Sequence, residues 1–363
     1  MNTHEEIMLR CLQLARKGMG NVSPNPMVGC VIVKDGEIIG EGFHEKFGGP
    51  HAEVNAIRSA SAAVEGSEVF VNLEPCSYFG KTPPCVDLLI ERKVKKVYVA
   101  MLDPNPKVNG NGIRKLRNAG IEVEVGLLAE ESLRLNEVFV KYMTQGLPFV
   151  TLKIAQSLDG KIALTNGKSK YITSEESLKK VHAIRAQHDA VLVGAGTIIA
   201  DDPSLTVRFV EGKSPVRIIL DGNLTSPIGS GIFHDRKTRV VVFHVASAGS
   251  KAGRKTTTLR KLGVELQGLR GDRDGRIRIK SVLERLAGMG ISSVLVEGGA
   301  GIFSEFIRAR MADKIYLFIA PIILGNGKGF ADGIELKSLK GAVRLRNIEV
   351  ARVGSDRIVT GYF

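Results

Sequence analysis

The chain has no tryptophan, only four cysteines in 363 residues, and 6% aromatic residues. An indole is therefore excluded wherever a ring could lie against a ligand. Four cysteines in a long chain argue for a reducing compartment, where they act as core filler, catalytic groups or metal ligands. No apolar run approaches the roughly 20 residues needed to span a bilayer, so no membrane span is expected. The opening stretch MNTHEEIMLRCLQLARKG lacks the basic start and unbroken apolar run of a signal peptide. Thr3 and Glu6 instead form a capping-box pattern, and Ile7, Met8, Cys11, Leu12 and Ala15 share one helical face. A first helix of a folded, cytoplasmic protein is expected.

What is present describes an ordinary globular chain, 44% hydrophobic and 25% charged, long for one core and comfortable for two. The net charge of +13 looks like a nucleic-acid footprint until it is divided. Residues 1–150 hold 17 Lys and Arg against 18 Asp and Glu; residues 151–363 hold 34 against 20. Much of the excess falls in 236–285, with 14 basic and 4 acidic residues, where SAGSKAGRKTTTLRK and RGDRDGRIRIK read as solvated loops.

MVGCVIV, the turn KDG and EIIGEG predict a hairpin. A helix from His51, the strand VFVNL, a helix from about Cys85, the strand KVYVAML, the helix IRKLRNAG and the strand IEVEVG follow. Such alternation indicates an α/β layer fold. A helix through LRLNEVFVKYMTQG ends at Gly146, and Pro148 follows, placing a domain boundary between residues 1–146 and 147–363. A second α/β series runs from FVTLKIAQSLDGKIAL through AVLVGAG, VRIILDG, TRVVVFH, SSVLVEGG and KIYLFIAPIIL.

The chemistry-bearing pattern of the first half starts at HAEVNAI, residues 51–57. Taken alone, Glu53 is a helix-start acid favoured by the dipole, and His51 is surface filler. EPCSYFGKTPPC, residues 74–85, changes that reading. Cys76 lies just past a strand, and Cys85 opens the next helix; each follows a proline. Orphan amides and the dipole at a helix start favour a thiolate. One imidazole and two thiolates hold zinc with its fourth tetrahedral position open for water, the catalytic arrangement. Glu53, which does not bind the metal, can then carry protons. The order follows the zinc-deaminase template H-x-E…P-C-x-x-C, but with eight residues between the cysteines. Cys11 and Cys30 read as core residues.

That spacing, with SPNPMVGCVIV, HAE and DPNPKVNGNGIRKLRNAGIEVEVG in the first half, resembles the bifunctional deaminase/reductase family of riboflavin biosynthesis. TLKIAQSLDGKIAL, SKYITS, VGAGTIIADDPSLTVR and VEGGAGIFSEF carry the resemblance through the second half. It implies a cytidine-deaminase-like α/β/α sandwich followed by a dihydrofolate-reductase-like α/β domain. The implied first reaction is hydrolytic deamination of 2,5-diamino-6-ribosylamino-4(3H)-pyrimidinone 5′-phosphate by zinc-activated water, with Glu53 passing the proton to the departing ammonia. Asn25, His44, Glu74 and Lys81 are implied around the ring or phosphate, although His44 in GFHEKFGG reads equally as a loop histidine.

In the second half, VLVGAGTII has Gly194 and Gly196 but Ile199 in place of a third glycine, so it matches a Rossmann loop only in part. Asp221 is no clear strand-end acid for it. SSVLVEGGAGIFSEFI reads as strand, glycine cluster and amphipathic helix, either a phosphate-binding turn or a tight connection. The resemblance implies NADPH held by Ala155, Tyr171, Thr197, Asp201, Gly299, Ala300, Gly301, Ile302, Phe303, Ser304 and Glu305. It implies substrate held by Lys153, Ser169, Arg185, Leu205, Arg208 and Glu297. Hydride transfer to C1′ would open the ribosyl group of 5-amino-6-(5-phosphoribosylamino)uracil to ribityl. Guanidinium forks at Arg185 and Arg208 suit a ribose phosphate. Lys153 and Asp201 are the candidate proton donors. Tyr171 stands where the family usually has tryptophan, so altered packing at the nicotinamide end is expected. Two active sites per chain suggest a homo-oligomer. A nucleic-acid deaminase is the rival reading, and the slightly acidic first half speaks against it. A structural zinc protein would recruit a fourth protein ligand, and no obvious one is present.

Overall fold

The computed structural model describes residues 3–79, 83–106, 108–169 and 172–363, with the backbone alone at 249–251. The chain divides into two compact units, Met1–Gly146 and Leu147–Phe363.

In the first unit, α1 (His4–Arg16) carries the expected capping box, with Glu6 N–H donating to Thr3 Oγ1 and Thr3 N–H to Glu6 Oε2. The hairpin β1 (Gly29–Lys34) and β2 (Glu37–Phe43) turns through Asp35 and Gly36, at φ 51° and 82°. Positive φ at both positions matches the strand twist of a two-residue turn. Then come α2 (Ala52–Arg58), β3 (Glu68–Val71), α3 (Cys85–Glu91), β4 (Lys96–Val99), α4 (Asn111–Asn118), β5 (Glu122–Val125), α5 (Ala129–Leu135) and α6 (Glu137–Gln145). The sheet order is β2-β1-β3-β4-β5, antiparallel among the first three strands and parallel beyond. Strand alternation divides the core in two. Val69, Val71, Val97 and Val99 meet Ala56, Leu89 and Leu116 on one face; Phe70 and Tyr98, stacked at 4.3 Å, meet Ile7, Met8 and Cys11 on the other.

The expected single helix through LRLNEVFVKYMTQG is two helices. Asn136 leaves helical geometry (φ −102°, ψ 20°) and spends its amide on the backbone of Met27, accepting from its N–H at 2.8 Å and donating to its C=O at 3.0 Å. A side chain that satisfies distant backbone competes with the helix around it.

The second unit contains β6 (Phe149–Ser157), β7 (Lys161–Leu164), α7 (Glu175–Ala186), β8 (Ala190–Gly194), α8 (Ala195–Asp201), β9 (Val216–Leu220), α9 (Gly231–His234), β10 (Val240–Val245), α10 (Ala246–Lys251), α11 (Gly253–Lys261), β11 (Glu265–Leu269), α12 (Ile279–Gly288), β12 (Ser293–Gly298), α13 (Ala300–Arg308), β13 (Lys314–Ala320), β14 (Gly327–Gly329), β15 (Arg346–Val353) and β16 (Asp356–Tyr362). A nine-stranded sheet runs β11-β10-β9-β8-β12-β6-β13-β16-β15, parallel up to β13 and antiparallel at its last two strands. Its inner strands are buried on both faces, which accounts for their unbroken apolar runs.

Two sequence expectations change here. SAGSKAGRKTTTLRK is not a loop but most of α10 and all of α11, because Thr256 and Leu259 are buried and anchor an otherwise basic segment. The terminal hairpin β15–β16 was not predicted; β15 is exposed along nearly its whole length and lacks the one-sided alternation that marks a half-buried strand.

Candidate active sites

In the first unit the end of β3 faces the starts of α2 and α3. His51 occupies the N-cap position of α2 but makes no side-chain capping bond. Its Nδ1 lies 3.5 Å from Cys76 Sγ and 3.3 Å from Cys85 Sγ, and the three donor atoms fall within 4.8 Å of one another. Ligands at zinc bond lengths of about 2.3 Å to sulfur and 2.0 Å to nitrogen, set tetrahedrally, stand about 3.5 Å apart. The three side chains therefore fit one zinc ion. The Cys85 N–H donates to Cys76 Sγ at 3.3 Å. Contact with Cys85 and with His51 holds the Cys76 thiol down to about 4, so a thiolate is already favoured there. Among the described residues no fourth His, Cys, Asp or Glu joins the cluster. That leaves one tetrahedral position for a non-protein ligand.

Glu53 is 3% exposed, in the first turn of α2 two residues after His51. Burial, reinforced by the Cys76 charge, raises its pKa above the ordinary carboxylate value. Desolvation disfavours the charged form, which brings a carboxyl closer to the range useful for proton exchange at neutral pH. His44 and Asn25 stand beside the cluster. The His44 ring lies edge-on to His51 at 5.5 Å; its Nδ1 bonds Pro50 C=O at 2.9 Å and its Nε2 meets Asn25 Nδ2 at 3.1 Å. A carbonyl can only accept, so Nδ1 carries the proton and Nε2 receives the Asn25 amide. His44 lies in the loop after β2 as a fixed neutral partner of Asn25, and burial lowers its pKa accordingly.

Glu74 departs from its expected place at the substrate. Its carboxylate accepts backbone N–H groups from Asp103, Gly110, Gly112 and Ile113, at 2.8 to 3.3 Å. Both oxygens are spent tying the 103–113 segment to the end of β3. Gly112 permits this, since a Cβ there would lie 2.3 Å from Pro75 C=O. Asp103, not singled out from the sequence, is brought near Cys76 by this anchor, and burial pushes its carboxyl up to about 6. Lys81 lies outside the described residues. Cys11 and Cys30 are fully buried in the core.

In the second unit a cleft of about 1280 Å³ opens at the carboxyl ends of β8, β9 and β12. Open parallel sheets place ligands there. It is lined by Lys153, Ala155, Ser169, Arg185, Thr197, Asp201, Leu205, Arg208 and Glu297, and by Gly299, Ala300, Gly301, Ile302, Phe303 and Glu305. Tyr171 lies outside the described residues. The glycine cluster is a cleft-facing turn: Gly298 has φ 151°, and a Cβ on it would sit 3.3 Å from Thr197 Oγ1. Asp221 also reaches the cleft, but its oxygens accept from Thr225 and Ser226.

Two expected contacts differ. Ser304 does not line the cleft; it is 1% exposed and packs toward Gly333. The first turn of α13 points its end at the cleft, whereas at Ser304 the 3.6-residue period has carried the side chain to the buried face. The Arg185 fork is occupied. Nε and Nη2 donate to Glu297 at 2.8 and 2.9 Å and Nη1 to Thr206 C=O at 2.6 Å, with both side chains 8% exposed. The side-on face, Nε with Nη2, is therefore taken. One N–H on each terminal nitrogen is what it offers the cleft.

The same cluster makes stability pH-dependent. Despite burial, the Arg185 and Lys153 charges hold the Glu297 carboxyl down to about 2 from an ordinary 4.5. Burial, with Arg185 and Arg208 nearby, holds His182 down to about 4 from an ordinary 6.5. The unfolded chain therefore takes up a proton at His182 from about pH 6.5 downwards and at Glu297 from about 4.5, while the folded chain does not. Stability of the second unit should fall as pH drops from 6.5 to 4 and fall further below 4.5. Urea midpoints measured along that range check this, and a flat profile above pH 4.5 would contradict it.

Residues 1–101 match the cytidine and deoxycytidylate deaminase zinc-binding region, and residues 148–359 match the RibD C-terminal domain. The riboflavin biosynthesis protein RibD of Aquifex aeolicus is 44% identical over 97% of this chain and 96% of its own length, and that of Escherichia coli 38% over 97% of each. The Thermotoga maritima structure of a diaminohydroxyphosphoribosylaminopyrimidine deaminase/5-amino-6-(5-phosphoribosylamino)uracil reductase superposes with TM-score 0.87 at 43% identity, covering 99% of this chain and 98% of that one. Acinetobacter baumannii RibD superposes with TM-score 0.88 at 36% identity over the same shares. The expected fold classes, a cytidine-deaminase-like sandwich and a dihydrofolate-reductase-like α/β domain, agree with these matches. With a three-donor zinc site in one unit, a nucleotide-sized cleft in the other and relatives alike over their whole length, the chain belongs to the RibD family of riboflavin biosynthesis proteins.

Proposed function

We propose that this chain is a bifunctional enzyme of riboflavin biosynthesis that acts on phosphorylated pyrimidines. Its first unit deaminates 2,5-diamino-6-ribosylamino-4(3H)-pyrimidinone 5′-phosphate. Its second reduces the ribosyl group of 5-amino-6-(5-phosphoribosylamino)uracil to ribityl. The convergence of His51, Cys76 and Cys85 around a single point, with a buried Glu53 beside them, carries the first activity.

His51, Cys76 and Cys85 hold the zinc. Bound zinc supplies Lewis acidity that brings a water pKa from 15.7 to about 7. Glu53, which is not among the three clustered donors, accepts the proton of the attacking water and returns it to the leaving amine. Asn25, oriented by His44, presents its amide to the ring. Lys81 is assigned to the substrate phosphate.

In the second unit NADPH supplies the hydride. The Gly299–Gly301 turn and Thr197 hold the cofactor, together with Ala155, Asp201, Ile302, Phe303, Glu305 and Tyr171. Ser169 Oγ bonds both oxygens of Asp201, at 3.1 and 3.2 Å. Of the two candidate proton donors this favours Lys153, whose pKa burial lowers. Leu205, Arg208 and Glu297 complete the substrate pocket around it.

The test supplies the diaminopyrimidine phosphate with and without NADPH, before and after treatment with a zinc chelator. Ammonia release should need zinc and not NADPH. Reduction of the deaminated product should need NADPH and survive chelation. NADPH oxidation that stops with zinc removal, or ammonia release that does not, would refute the assignment of one reaction to each unit.

Cys76 and Cys85 must stay reduced to bind metal, which supports a cytoplasmic location. The chain also assembles with itself along β15, an edge strand whose Ile348 and Val350 are 58% and 63% exposed. Unpaired edge groups beside apolar side chains favour pairing with another copy. Sedimentation should find an oligomer that Ile348→Lys with Val350→Lys converts to monomer; a monomeric wild type would exclude it.

A further inference from the structure

Helix α7 presents one face to the reductase cleft through Leu178, Val181, His182 and Arg185, spaced as helical neighbours. His182 is assigned nothing by the reading above, yet it is placed with unusual definition. It is 2% exposed, and the Arg208 backbone N–H lies 3.0 Å from its Nδ1. The Phe209 ring packs edge-on against the imidazole, with centroids 4.6 Å apart. A backbone amide can only donate, so Nδ1 is the acceptor and the proton resides on Nε2. That Nε2–H meets no acceptor among the described residues, and His182 lines the cleft.

The charges His182 faces define what the donor awaits. Arg185 on its own helix, Arg208 beside it, Lys153 on β6 and Glu297 on β12 surround it. Three positive groups and one negative leave two unbalanced positive charges, which is the charge of a phosphate monoester dianion. Arg185 is largely taken by Glu297, so the cluster needs another donor for such a ligand. Burial, with the cationic neighbours behind it, keeps His182 neutral near pH 7. A neutral donor contributes a hydrogen bond without adding repulsion to a site that is already cationic.

We propose that His182 is a further substrate-binding residue of the second unit: Nδ1 holds the Arg208 backbone in place, and Nε2–H donates to the substrate phosphate. The proposal rests on the reductase reading and adds to it the group that takes over what the Arg185 fork cannot do.

Two substitutions separate the two nitrogens. Asn places an amide oxygen where Nδ1 was and loses the far donor; Gln places an amide nitrogen where Nε2 was. The probe is ribose 5-phosphate, titrated calorimetrically into the full-length protein. His182→Asn should weaken binding about tenfold, the loss of one hydrogen bond to a charged group. His182→Gln should stay within about threefold of wild type, and NADPH affinity should not change in either. In the wild type the His182 Nε2–H resonance should move on titration, a readout that does not depend on either variant folding. Equal binding by His182→Asn and wild type, equal weakening by both variants, an unmoved resonance, or no binding to the wild type would each overturn the proposal. Failure of the wild type to oxidise NADPH with the pyrimidine substrate would instead count against the reductase reading.

Discussion

Replacing Glu53 by Gln should lower the deamination rate by about 10²- to 10⁴-fold, the usual contribution of a positioned general acid–base group. Zinc content should stay at one ion per chain, because His51, Cys76 and Cys85 supply the donor atoms and Glu53 supplies none of them. The reductase rate should not change, since Glu53 lies in the other unit. The substitution keeps the shape of a side chain that is 3% exposed, so loss of packing does not explain the loss of rate. Steady-state ammonia release and metal analysis on the same sample decide the matter. Turnover within tenfold of wild type would remove Glu53 from the proton path. Loss of zinc would show that the carboxylate supports the site rather than the chemistry.

The second large effect is expected at Glu297. Glu297→Met keeps the side-chain volume but removes the partner of a guanidinium that is 8% exposed, and it leaves Lys153 facing Arg185 without the intervening charge. Breaking one side of a buried ion pair costs about 3–5 kcal/mol. The double substitution Arg185→Met with Glu297→Met should recover much of that loss, because no charge of the pair is then stranded. Urea unfolding of the full chain, with deaminase activity as a control for the first unit, gives both numbers. A single-variant cost below about 1 kcal/mol would mean that water reaches the pair freely. In the same variant the further loss of stability below pH 4.5 should shrink by the Glu297 share, since Asp159, Asp356 and Glu265 are also held low, while the part between 6.5 and 4 that belongs to His182 remains.

Local pattern carried much of this protein. The capping box at Thr3 and Glu6, the Asp35–Gly36 turn, the Gly146 helix end and the buried parallel strands all depend on residues close together in the chain. The candidate zinc donors were legible because cysteine and histidine have few bland uses at helix starts, and the eight-residue gap between Cys76 and Cys85 pointed to one family. Where local pattern misled, a distant partner had intervened. Asn136 breaks a helix for the backbone of Met27, and buried Thr256 and Leu259 turn a basic stretch into helix.

The sequence by itself determined the two-unit α/β organisation, the metal-binding residue types and the glycine-rich turn at the cofactor cleft. Those rest on periodicity and on the intrinsic chemistry of side chains. Only the tertiary structure decided which polar groups are already satisfied. Glu74 is consumed by four backbone amides, the side-on face of Arg185 by Glu297, and Ser304 faces away from the cleft, while His182 has a donor with no acceptor among the described residues. A hydrogen bond is spent on whichever partner the fold brings within about 3 Å, and that proximity is set by strand order and helix rotation over separations of tens to more than a hundred residues.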